Sequence, residues 1–88
     1  MVRDGDVVAI FHSIHKVMKA EQVLKRAGSD ILLIPVPRQL SSDCGLAIRY
    51  SGQSRGEVEA LLAREDVSPM ELYRREGEGY RRIGLLLD

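Results

Sequence analysis

The chain has 88 residues, 13 basic and 13 acidic, with 44% hydrophobic and 30% charged side chains. That length allows one domain with a modest core, taken as 6–83 with a short tail at 84–88, and the composition argues against disorder. Balanced charge excludes a global pull toward nucleic acid or an anionic membrane, no stretch is apolar for long enough to cross a bilayer, and a single cysteine excludes an internal disulfide framework or a multi-cysteine metal centre.

Asp6 to His12 is a short apolar run with β-branched residues and predicts a buried strand. Ser13 is placed to cap a helix, and Val17, Ala20, Leu24 and Ala27 then recur at steps of three and four, with Gly28 as the stop. Ile31 to Pro37 predicts a second strand. Pro35 cannot donate a ladder bond, which sends this strand to a sheet edge. Arg38 to Asp43 reads as a polar loop, and Cys44 to Tyr50 as a third strand entered through Gly45.

Ser54 and Glu57 have capping-box spacing, and Val58, Leu61 and Leu62 form the stripe of a second helix ending near Asp66. Met70 to Arg75 and Tyr80 to Ile83 read as two arms of a hairpin around Glu76–Gly79, each arm carrying a Tyr-Arg-Arg segment. The tail Leu85 to Leu87 is more apolar than a free end should be, and packing on the domain or on a second copy would explain it.

The order β-α-β-β-α-β with an added terminal strand predicts an α+β, ferredoxin-like fold with both helices on one face of the sheet. With the first and third strands taken as parallel neighbours, Cys44 is expected where the helices finish. Arginine or loop N–H groups would then have to stabilise its thiolate. Alternation puts Cys44 on the same strand face as Leu46 and Ile48, which could be the core.

The segment from Pro35 to Gly45 is the most specific part of the chain. Two prolines stiffen it, Arg38 offers a fixed charge, Ser41 and Ser42 supply hydroxyls that order a loop, and Gly45 removes a side chain beside the sulfur. A thiolate is the nucleophilic form of cysteine and nearby cations stabilise it, so Arg38 and Arg49 are the candidate cations for Cys44. Each arginine could equally pair with Asp43 as a plain surface ion pair. Cys44 itself is either a small core residue or a reactive group.

Other readings are weaker. His12 and His15 are spaced for one edge but lack further ligands, so no metal is expected, and His12 at a strand end reads as a polar terminator. Arg74, Arg75, Arg81 and Arg82 with Tyr73 and Tyr80 could form an RNA patch. Glu71, Glu76 and Glu78 dilute it and the third strand lacks the aromatic consensus, so no nucleic-acid partner is expected. Neither a phosphate loop nor a serine nucleophile elbow is present. The amino-terminal residues lack the layout of a secretory signal, which makes the cytoplasm the expected location.

The text from Pro35 to Tyr50, preceded by that from Ala9 to Gly28, resembles a small bacterial family of unknown function described as selenium/sulfur (Se/S) carrier protein-like. The resemblance spans roughly 6–83 and is sharpest at Pro37, Arg38, Ser41, Ser42, Cys44, Gly45 and Arg49. Gly56 and the tail after Ile83 depart from its pattern without touching the motif. The resemblance implies an accessory protein that holds sulfur or selenium on Cys44 as a persulfide or selenosulfide. It implies a desulfurase-type donor and an acceptor enzyme as partners, and no bound cofactor. The competing reading is a non-catalytic ferredoxin-like binding or regulatory module, able to dimerise through its apolar tail and proline-rich edge, in which Cys44 is only packing.

Overall fold

The computed structural model describes residues 1–86. Its elements are β1 (Val7–Ile10), α1 (Ile14–Arg26), β2 (Ile31–Pro35), β3 (Leu46–Tyr50), a short 3-10 turn (Gly52–Ser54), α2 (Arg55–Arg64), β4 (Glu71–Glu76) and β5 (Gly79–Ile83). The strands form one antiparallel sheet in the order β2-β3-β1-β4-β5. Two helices on a five-stranded sheet make an α+β fold. The first four strands follow the ferredoxin-like order, with β5 added beside β4. Pro35 ends an edge strand, as its missing donor requires. No helix among the described residues is long and apolar enough to cross a membrane.

β1 lies at the centre of the sheet and is buried on both faces, which is why Val7–Ile10 shows no polar alternation. Val7, Ala9 and Phe11 face both helices and pack with Val17, Ala20 and Leu24 of α1 and Val58 and Leu62 of α2. Val8 and Ile10 face the other way and form a second cluster with Ile34 and Ala47. No helix covers that cluster. Val36 and Leu40 from the β2–β3 loop, Val2, and Tyr73 and Tyr80 pack over it instead. The loop crosses the sheet far enough for Gln39 Nε2 to donate to the Glu78 carbonyl in the β4–β5 turn (3.2 Å).

Both helix ends are built from local chemistry. Ser13 Oγ accepts from Lys16 N–H (3.3 Å) at the start of α1. At its end Gly28 has φ +77°, Gly28 N–H donates to the Lys25 carbonyl, and Ser29 N–H donates to that of Leu24. α2 ends on the same pattern with Asp66 (φ 57°) in the left-handed position.

Three expectations need correction. β1 and β3 are antiparallel, with Ile10 opposite Ala47, because the α1 crossover returns β2 parallel to β1 and β3 then turns back between them. Residues just before Ala47 therefore lie at the end of the sheet where α1 begins and α2 finishes. β3 also starts at Leu46, so Cys44 and Gly45 belong to the loop. The capping box does not form: the 3-10 turn gives Ser54 a helical backbone, its hydroxyl pairs with Ser51 Oγ (3.1 Å), and Glu57 accepts from Ser29 Oγ (3.3 Å). In the tail, Leu85 packs on the helix-side core and Leu86 N–H is bound by Glu59, so this part docks on its own domain. Leu87 lies outside the described residues.

Candidate functional site

The loop between β2 and β3 is closed at its base by Val36 N–H donating to the Gly45 carbonyl (3.0 Å). Inside it, Leu40 N–H donates to the Pro37 carbonyl (2.9 Å), which makes a tight turn around Arg38 and Gln39. Gly45 has φ +74°, and a Cβ there would meet nothing within 4 Å. The glycine is thus required by backbone conformation and not by crowding at the sulfur. Ser42 Oγ accepts the Cys44 N–H (3.3 Å), a serine turn that fixes the residue just before the strand.

Cys44 is half-buried. It packs against the helix-side core, the face that alternation assigned to it with Leu46 and Ile48. Its Sγ donates to the Leu46 carbonyl (3.3 Å) and lies 3.6 Å from Ser42 Oγ. α1 starts at this end of the sheet, and its first turn carries no acidic residue to offset the positive end of the helix.

His12 belongs to the same corner. It adopts φ 59°, a left-handed backbone that turns the chain between β1 and α1. Its Nδ1 accepts the Asp43 N–H (3.4 Å), and its Nε2 bonds Glu71 Oε2 at the start of β4. Glu71 Oε1 accepts from the Tyr73 hydroxyl (2.6 Å). The Tyr73 hydroxyl and the His12 ring together hold the Glu71 carboxyl below the usual range, and the same carboxylate pushes the Tyr73 phenol up. The strand-end position of His12 predicts only a polar terminator. Its link to the residue before Cys44 spans 31 positions and depends on the antiparallel β1–β3 pairing.

The two arginines do not join the sulfur. Arg49 projects from the face opposite the helices and pairs with Asp6 (3.7 Å) at the far end of β3. It is separated from Cys44 by Gly45 and most of the strand, a span of at most about 17 Å. Arg38 is exposed at the loop turn, in an open groove of about 510 Å³ shared with Pro35, Pro37, Arg75 and Tyr80. Pro37, in that lining, is half-buried, and Ser41 is exposed. Asp43, expected as an ion-pair partner for either arginine, instead gives its backbone N–H to His12. His15 is exposed, and among the described residues no group of three or more His, Cys, Asp or Glu could hold a metal ion. The hairpin divides the basic aromatic residues between two faces: Tyr73, paired with Arg82, and Arg75, paired with Tyr80, lie opposite the helices, while Arg74 and Arg81 lie on the helix side.

The chemistry available here is that of one half-buried thiol on a loop whose backbone is pinned by serine and histidine. Comparison with known proteins adds a family. The model of a family described as "Putative Se/S carrier protein-like" matches residues 6–74, which include Cys44. A protein of Aquifex aeolicus (strain VF5) described as "Putative sulfur carrier protein" is 29% identical over 75 residues, covering 83% of this chain and 38% of the relative. The chain thus spans about two fifths of that relative's length. No solved structure matches the chain.

Proposed function

We propose that Cys44 carries sulfur or selenium in this chain, which belongs to the Se/S carrier protein-like family. The observation that carries the reading is chemical: a persulfide or selenosulfide needs a cysteine, and the chain has one, inside the family match. Its position supports the role. Cys44 is half-buried, its Sγ donates to a carbonyl, and the residues flanking it, Asp43 and Gly45, are exposed.

The transfer balances without an external oxidant. The Cys44 thiolate attacks the outer sulfur of a donor persulfide, the donor S–S bond breaks, and the donor thiolate leaves and takes the proton. Donor persulfide and Cys44 thiol thus become donor thiol and Cys44 persulfide. A selenosulfide donor delivers selenium by the same exchange. The acceptor then attacks the outer atom on Cys44 and returns it to the thiol. Partners are accordingly a sulfur or selenium donor and an acceptor, met in a soluble compartment such as the cytoplasm. Arg38, exposed at the loop turn, is placed to meet an anionic group on either partner.

Intact mass after incubation with a persulfide donor tests the reading. The expected result is a gain of one sulfur atom, reversed by a thiol reductant and absent in Cys44→Ser. No adduct in a folded wild-type chain overturns it, and together with a dimer on sizing leaves the binding module in which Cys44 only packs.

A further inference from the structure

We infer that His12 is a positioning residue for Cys44, holding the Asp43–Cys44 segment through an Nδ1 lone pair that Glu71 keeps available. This rests on the reading of Cys44 as the sulfur-bearing residue.

A carboxylate only accepts hydrogen bonds. Tyr73 occupies Glu71 Oε1, and Oε2 faces His12 Nε2, so that nitrogen carries the hydrogen. A neutral imidazole has a single N–H, which leaves Nδ1 bare and able to accept from the Asp43 amide, as observed. A chain of bonds thus runs from Tyr73 on β4 through Glu71 and His12 to the loop. Asp43 immediately precedes Cys44, whose own N–H closes on Ser42 Oγ, so the loop backbone on both sides of that peptide is held. Apart from Gln39 on Glu78 and the local bond of Cys44 Sγ to the Leu46 carbonyl, this is the side-chain bond that ties residues 37–44 to the rest of the fold among the described residues.

A doubly protonated ring has no acceptor. Glu71 would still hold Nε2, but Nδ1–H would face Asp43 N–H, and the loop bond is lost. The titratable and charged groups on the segments next to His12 are Glu71 and Tyr73 of β4, Arg82 of β5 opposite Tyr73, Asp43 and Cys44 of the loop, and His15 and Lys16 in the first turn of α1. Of these, Glu71 and the Asp43 amide bond the imidazole directly.

The test is a pH titration of the full ¹⁵N-labelled chain through the histidine range. Three readouts are followed: the His12 ring nitrogens, hydrogen exchange at the Asp43 amide, and the iodoacetamide rate of Cys44 divided by its thiolate fraction. Expected are an Nε2–H tautomer in the neutral ring, loss of Asp43 protection as the ring takes up its second proton, and a normalised Cys44 rate that rises with that same protonation. The rise should be roughly 2- to 10-fold, the worth of one net hydrogen bond. In His12→Asn, whose Oδ1 replaces Nδ1 and which tolerates a positive φ, Asp43 should stay protected and the inflection should vanish. His12→Ala should lose protection at every pH. An Nδ1–H tautomer of the neutral ring, or an Asp43 amide indifferent to the ring's protonation, overturns the inference. The carrier reading fails separately, by absence of a sulfur adduct while the His12–Asp43 coupling stands.

Discussion

Glu59 is a carboxylate at 3% exposure, and its acceptors are fully engaged. It accepts from the Tyr50 hydroxyl (2.9 Å), Arg55 Nε (2.7 Å) and the Leu86 N–H (2.9 Å). Nothing in the sequence marks it, since it stands between Val58 and Leu62 at an unremarkable helix position and its partners arrive only through the fold. Removing it strands the Arg55 charge and a buried hydroxyl together. Glu59→Ala should cost about 3 kcal/mol in urea unfolding, and Glu59→Gln, which keeps one acceptor, about 1–2 kcal/mol. Burial, with Glu59 beside it, pushes the Tyr50 phenol far above its ordinary value of 10.0. Below that pH both folded and unfolded chains keep the proton and stability is unaffected. Above it the unfolded chain releases the proton first, so stability falls as pH rises. Tyr73 shifts in the same direction. Urea midpoints measured across the alkaline range should therefore decline in the wild type and decline less steeply, not vanish, in Tyr50→Phe.

At the scale of elements, two serines that look alike in sequence separate. Ser13 has an extended backbone and caps α1, whereas Ser54 is already helical and caps nothing. Ser13→Ala should cost about 1 kcal/mol and Ser54→Ala at most a few tenths, a contrast that thermal or urea unfolding reads directly. A capping box was legible as spacing, but spacing does not reveal that Gly52–Ser54 forms a 3-10 turn ahead of α2 and rotates the hydroxyl toward Ser51. Gly28 was legible for a sounder reason: a glycine following a basic last turn ends a helix by taking a left-handed backbone. A Cβ at Gly28 would meet nothing within 4 Å, so Gly28→Ala isolates the backbone penalty, about 1–2 kcal/mol.

At the scale of the whole molecule, the α+β class, the edge position of β2 and the hairpin arms could be read because each follows from local pattern. The placement of Cys44 at the end of the sheet where α1 begins could not, since it needs the β1–β3 direction, which only the completed sheet supplies. The covering of the second face was equally hidden. Val36 looks like the end of a strand and Leu40 like a loop residue, yet both lie in the loop and close the cluster of Val8, Ile10, Ile34 and Ala47, and the loop that does this also carries Cys44. Core and site are therefore coupled through one segment. Leu40→Ala should cost about 1–3 kcal/mol, less than a fully buried leucine because Leu40 is only half-buried. It should also loosen the loop in the native state, raising Cys44 modification at zero urea. Leu24→Ala, in the helix-side core at the end of α1 away from Cys44, lowers global stability as well but leaves the loop's own anchors in place. Its Cys44 modification at zero urea should stay near wild type and rise only as urea approaches the unfolding midpoint. Equal native-state rates in the two variants, at matched stability, would show that the loop and the second face move independently.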